Sequence, residues 1–119
     1  MIEAYLPRPD ELWFRRKMLA DEATMAYNRA SGEFVGEIAY HFDGEKYLAD
    51  VIVYAPYRRR GYGAAGLALL CAAAKENGVG VLYDDIAADN PSVALFLRCG
   101  FSVEYRTDQI VMVKKVLAE

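Results

Sequence analysis

Apolar and polar residues alternate from Glu33 to Phe42. Phe34, Gly36, Ile38, Tyr40 and Phe42 fall on one side and Val35, Glu37, Ala39 and His41 on the other, which predicts a β-strand. Tyr47 to Tyr54, rich in Val, Ile and Tyr, predicts its partner. Asp43-Gly44 between them suits a two-residue type I′ turn, which would set Phe42 opposite Glu45 and Glu37 opposite Asp50. The period then changes. Gly63 to Asn77 gathers Leu67, Leu70, Cys71 and Ala74 on one helical face, with Gly78 as the C′ residue. Val79 to Tyr83 reads as a brief strand, Pro91 opens a helix that Gly100 ends, and Phe101–Tyr105 with Ile110–Val116 predicts a closing antiparallel pair. Upstream, Ile2 to Leu6 suits a short strand. Asp10 suits an N-cap for a helix through Leu19, and Asp21 for a further turn through Ala26. The order β-α-β-β-α-β-α-β-β implies an α/β protein of the α+β type, with one mixed sheet flanked by helices rather than a doubly wound array.

A length of 119 residues allows one domain, and 55% hydrophobic residues allow it a core. The net charge of -3 speaks against a nucleic-acid binder, whose footprint would be basic. Positive charge is local, in Arg58, Arg59 and Arg60, which suits a small anionic ligand. Cys71 and Cys99 match neither a zinc spacing nor a disulfide framework, so both are expected as free thiols in a reducing compartment. The acidic opening Met1-Ile2-Glu3 does not look like a signal peptide, and the apolar run Ala64 to Ala74 is too short for a bilayer, which takes about 20 residues. A cytoplasmic protein with no membrane partner is expected.

The segment from Val53 to Ala64 carries the chemistry. It leads from a strand into a helix N-terminus, where unpaired amides and the positive end of the dipole meet Gly61, Gly63 and three arginines. A pyrophosphate is the expected guest. Gly61-x-Gly63-x-x-Gly66 also matches a dinucleotide fingerprint, with Asp84 and Asp85 at the distance of a ribose-binding acid. That fingerprint wants its first glycine at the strand end, whereas Pro56 and the arginines intervene here.

Arg58-x-x-Gly61-x-Gly63 closely resembles the coenzyme A signature, [Gln/Arg]-x-x-Gly-x-[Gly/Ala], of the GNAT acetyltransferase superfamily. Asp89-Asn90-Pro91 through Phe96, Gly100 and Phe101 resembles the later motif of that superfamily, an Asn-bearing turn followed by a helix ending in Tyr-x-x-x-Gly and then Phe. The two resemblances span Val51 to Phe101 in the expected order. The predicted helix Asp10–Leu19 resembles the superfamily's first helix.

The resemblance implies a splayed sheet and acetyl-CoA as co-substrate, with an amine acceptor and no metal. It implies that Val51, Ile52 and Val53 pair with the pantetheine arm and that the Val53 N–H faces the thioester carbonyl as an oxyanion donor. Arg58, Arg59, Arg60, Gly61, Tyr62, Gly63 and Ala64 would hold the pyrophosphate, and Asn90 and Phe96 would border the cofactor on the far side. Glu37 and Asp50, across the predicted hairpin, are the candidate general bases. His41 on the same face is read as a surface residue.

Two departures stand out. Phe96 occupies the place of a tyrosine that protonates the leaving thiolate, and a phenyl ring has no proton to give. Only Asn28 to Gly32 fills the place of the usual second helix, which implies an open acceptor cleft or a homodimer that covers the exposed face. A non-catalytic acyl-CoA-binding module is the alternative to an N-acetyltransferase.

Overall fold

The computed structural model describes residues 13–19, 22–28 and 34–118, and side chains from Val35 onward. Seven strands form one sheet in the order β1-β2-β3-β4-β5-β7-β6. They are β1 (Trp13–Leu19), β2 (Glu22–Asn28), β3 (Phe34–Phe42), β4 (Tyr47–Val53), β5 (Val81–Ala87), β6 (Ser102–Arg106) and β7 (Ile110–Val116). Two helices, α1 (Tyr62–Glu76) and α2 (Ser92–Arg98), follow β4 and β5. All neighbours are antiparallel except β4 and β5, so the mixed, splayed architecture expected from the sequence is present.

The first half differs from expectation. Trp13–Leu19 is a strand and not the end of an Asp10-capped helix, and Glu22–Asn28 is a second strand rather than a helical turn. Ala23, Met25 and Tyr27 alternate as a strand requires, whereas the adjacent pairs Trp13-Phe14 and Met18-Leu19 do not. Sheet pairing decides: β2 pairs with the strong β3, placing Met25 opposite Ile38, and β1 pairs in turn with β2, placing Leu19 opposite Glu22. The expected strand Ile2–Leu6, and most of the connection before β3, lie outside the described residues.

The β3–β4 hairpin keeps its strands but changes register. Asp43 accepts the Glu45 and Lys46 amides on its carboxylate at 2.8 Å each, and the Asp43 amide donates to Lys46 O at 3.0 Å. These bonds hold Asp43 below the usual carboxylate range. The loop therefore spans four residues, Phe42 faces Tyr47, and Glu37 faces Ile52 rather than Asp50. Because the shift is even, Glu37 and Asp50 stay on one face as diagonal neighbours.

The other face is the core. Helix α1 lays Leu67, Leu70, Ala73 and Ala74 on Val35, Ile38, Tyr40 and Ala49 of the β3–β4 pair. Asn77 at its end donates to the Tyr40 hydroxyl at 3.1 Å. Helix α2 adds Phe96, which meets Phe101 edge-on at 4.9 Å, above Leu82, Ile86, Val111 and Val113. Cys71 and Cys99 are free, and burial pushes the Cys71 thiol up. No described helix is long and apolar enough to cross a membrane.

Candidate active site

The parallel seam is short: Tyr47 pairs with Leu82 and Leu48 with Tyr83, and beyond these the two strands part. The Tyr54 amide donates to Val35 O at 2.9 Å, which sets the phase of the β3–β4 ladder. Even-numbered residues of β4 bond to β3, so the backbone groups of Val51 and Val53 face β5 across the widening gap. A strand edge is thus left open inside a sheet.

At the wide end of that gap the chain turns into α1. Ala55–Tyr57 forms one 3-10 turn, and Arg59 (φ 64°) and Gly61 (φ 82°) take left-handed conformations that bring the chain onto the helix axis. The helical ladder begins with Ala65 N–H donating to Gly61 O at 3.2 Å, so the Gly63 and Ala64 amides precede it and lie in the positive end of the dipole. Gly63 is needed for a reason other than room for a ligand. A Cβ there would stand 3.1 Å from Leu95 Cδ2 and 3.7 Å from Val53 Cγ2, so glycine lets α1 pack closely on α2 and the end of β4.

A cleft of about 290 Å³ lies at this point, lined by Val53, Tyr57, Arg58, Arg59, Gly61, Tyr62, Gly63 and Ala64 on one side and Pro91, Ser92, Leu95 and Arg98 on the other. The structure thus brings together both sequence motifs. It also sorts their residues. Arg58 Nε donates to Val53 O at 3.0 Å, tying the arginine to the open edge of β4. Arg60 is absent from the lining. Asn90 is absent as well, and its Oδ1 instead accepts the Ser92 amide at 2.8 Å, fixing the turn into α2. Phe96 is 2% exposed, belongs to the core and is absent from the lining of the cleft. Arg98 was not singled out from the sequence, although Pro91, Leu95 and Arg98 share the i, i+4, i+7 spacing of one helical face.

The face of the sheet away from the helices carries the carboxylates. Glu37, Ala39, Asp50 and Ile52 border a hollow of about 120 Å³ there. The Tyr54 hydroxyl hydrogen-bonds to Glu37; desolvation and the Glu37 charge raise the tyrosine's pKa. His41 is exposed on this face. On β5, Asp84 is raised to about 8, first by desolvation and then by the charges of Asp85 and Asp50. Among the described residues no cluster of His, Cys, Asp and Glu is placed to hold a metal ion.

The acetyltransferase (GNAT) family model matches residues 1–101. The chain belongs to the GNAT family. Membership replaces the dinucleotide reading of Gly61, Gly63 and Gly66, and Gly66 is buried inside α1. No curated protein sequence matches the chain. Among solved structures, a ribosomal-protein-alanine N-acetyltransferase from Brucella melitensis is 27% identical, with TM-score 0.70 and coverage of 80% of this GNAT chain and 68% of the other. The PaiA N-acetyltransferase from Thermoplasma acidophilum, in complex with coenzyme A, is 16% identical with TM-score 0.70, covering 81% of this chain and 61% of that one. A GNAT-family protein from Desulfovibrio desulfuricans is 14% identical with TM-score 0.74, and coverage is 91% of this chain and 100% of that one. The matched region thus spans from under two thirds to all of these proteins.

Proposed function

We propose that the chain is an N-acetyltransferase in which a primary amine attacks the thioester of acetyl-CoA directly. The observation that carries this reading is the two-pair β4–β5 seam, which opens beneath a glycine-bearing helix N-terminus edged by Arg59 and Arg98. The Gly63 and Ala64 amides and the two arginines suit a pyrophosphate. The open backbone groups of Val51 and Val53 suit the amide-bearing pantetheine arm, and the Val53 N–H suits an oxyanion. Arg58 acts indirectly, by holding Val53. Similarity to a ribosomal-protein-alanine N-acetyltransferase and to a coenzyme A complex supports the same donor and acceptor classes.

The carboxylates of Glu37 and Asp50 beside the small hollow suit a cationic acceptor, whose ammonium loses one proton to solvent before attack and a second, to Asp50, as the amide forms. That face carries exposed Glu37, His41 and Asp50 beside exposed Ile52.

Acetyl-CoA should raise the melting temperature, and NAD(H) should leave it unchanged. A panel of primary amines should then include one that releases coenzyme A. Stabilisation by acetyl-CoA with no release from any amine would favour the non-catalytic acyl-CoA-binding module, a reading to which the buried Phe96 ring lends some weight. The absence of any stabilisation would end both.

A further inference from the structure

Tyr54 follows β4 and continues its extended backbone, with φ -64° and ψ 142°. Its side chain therefore leaves the sheet on the face away from the helices, as Asp50 and Ile52 do. Glu37 lies opposite Ile52 on β3, so it is a diagonal neighbour of Tyr54 on that face, within reach of a long side chain. The two meet, the Tyr54 hydroxyl donating to the Glu37 carboxylate.

Both backbone groups of Tyr54 are tied. Its amide donates to Val35 O at 2.9 Å, and its carbonyl accepts the Tyr57 amide at 2.9 Å as the 3-10 turn begins. The phenol is thus a fixed donor. An exposed glutamate otherwise spends rotamer freedom whenever it binds a partner. The hydroxyl occupies one of several acceptor sites on the carboxylate and leaves the others open. Asp50, also at the hollow, lies opposite Ala39, whose methyl offers no such bond. Tyr54 itself is not among the residues that border the hollow, so it reaches a ligand there only through Glu37. Glu37 is one ladder position from the Gly36–Val53 pair, beside the strand whose Val53 N–H suits the oxyanion.

We propose that Tyr54 is a positioning residue, which fixes the Glu37 carboxylate as the group that receives the acceptor's ammonium and leaves Asp50 to take the proton. The proposal rests on the acetyl-transfer reading. The contact at Glu37 is made before the ammonium loses its first proton, so it belongs to binding and not to the chemical step. Its loss should appear in KM and not in kcat.

The test takes the primary amine that releases most coenzyme A with the wild type and compares Tyr54→Phe, Glu37→Gln and the double variant. Tyr54→Phe keeps the ring and removes only the donor. It should raise KM for the amine roughly two- to tenfold, the size of one net hydrogen bond, with kcat and the Kd for acetyl-CoA unchanged. Glu37→Gln should raise KM at least as far. The double variant should match Glu37→Gln, because the hydroxyl acts only through the carboxylate. An unchanged KM in Tyr54→Phe, a fall in kcat in its place, or a further rise in KM when Tyr54→Phe is added to Glu37→Gln would each overturn the proposal. Weaker acetyl-CoA binding by Tyr54→Phe would overturn it too, since the hydroxyl would then be supporting Val53 and the turn into α1. Coenzyme A release from no amine by the wild type would instead overturn the transferase reading, and the positioning role with it.

Discussion

The two ends of the gap between β4 and β5 differ in charge, in the origin of their residues and in how they are held. The wide end is basic, with Arg58, Arg59 and Arg98, and is made by two helix starts and the turns before them. The closed end is acidic, with Asp50 and Asp84, and is made by strand register alone. The two ends would therefore attract ligand groups of opposite charge. The comparison teaches that the wide end depends on close helix packing and the closed end on which residues face each other.

The largest expected effect is at the packing contact of the wide end. Gly63→Val should cost about 1–3 kcal/mol by overpacking against Leu95 and should distort the cleft. Adding Leu95→Ala should recover part of the melting temperature. If the two substitutions cost the sum of their separate effects, the contact does not hold the wide end. Phe96→Tyr tests a neighbouring position on α2. Its hydroxyl would enter the core beside Phe101, so stability should fall by about 1–3 kcal/mol with no gain in kcat. A faster Phe96→Tyr enzyme would place the ring at the reacting sulfur after all.

Smaller effects should distinguish the arginines. Arg59→Gln and Arg98→Gln should each weaken acetyl-CoA binding by roughly 0.2–1 kcal/mol at low salt, less at high salt, whereas Arg60→Gln should change nothing. Equal losses at all three positions would mean that the cluster acts through its overall field. The smallest effect belongs to the closed end. Folded Asp84 keeps a proton that the unfolded chain releases, so the free protein should lose stability as pH rises towards about 8. Asp50→Asn removes a charge that raises Asp84, so the pH at which this decline ends should move down. An unmoved decline would show that desolvation and Asp85, without Asp50, set Asp84.

These differences follow how the sequence could be read. The wide end was legible because its signals are local: a strand, a glycine-bearing turn and a helix start lie within twelve residues, and α2 likewise follows a strand and a short turn, there held by Asn90. Even there, Arg98 was missed because its helix was read for its motif and not for its cleft-facing stripe. The closed end was not legible. The hairpin register turned on side-chain hydrogen bonds from Asp43 that a two-residue turn does not contain. Asp84 and Asp85 are adjacent and identical in type, and only the burial of alternate β5 positions separates them. Trp13–Leu19 and Glu22–Asn28 were read as helical because caps are local signals, while the strands that claim them are paired across the sheet.

The strand order also has a consequence for how the chain assembles. The first four strands pair strictly with their neighbours in sequence, so that half can zip up from hairpins during synthesis. The last strand, β7, lies between β5 and β6, so β5 lacks its partner on that side until Ile110–Val116 exists. Val111 and Val113 of that strand also complete the core under α2. A nascent chain stalled before Ile110 should therefore be protease-sensitive throughout β5 to β6, and emergence of Ile110–Val116 should confer protection in one step.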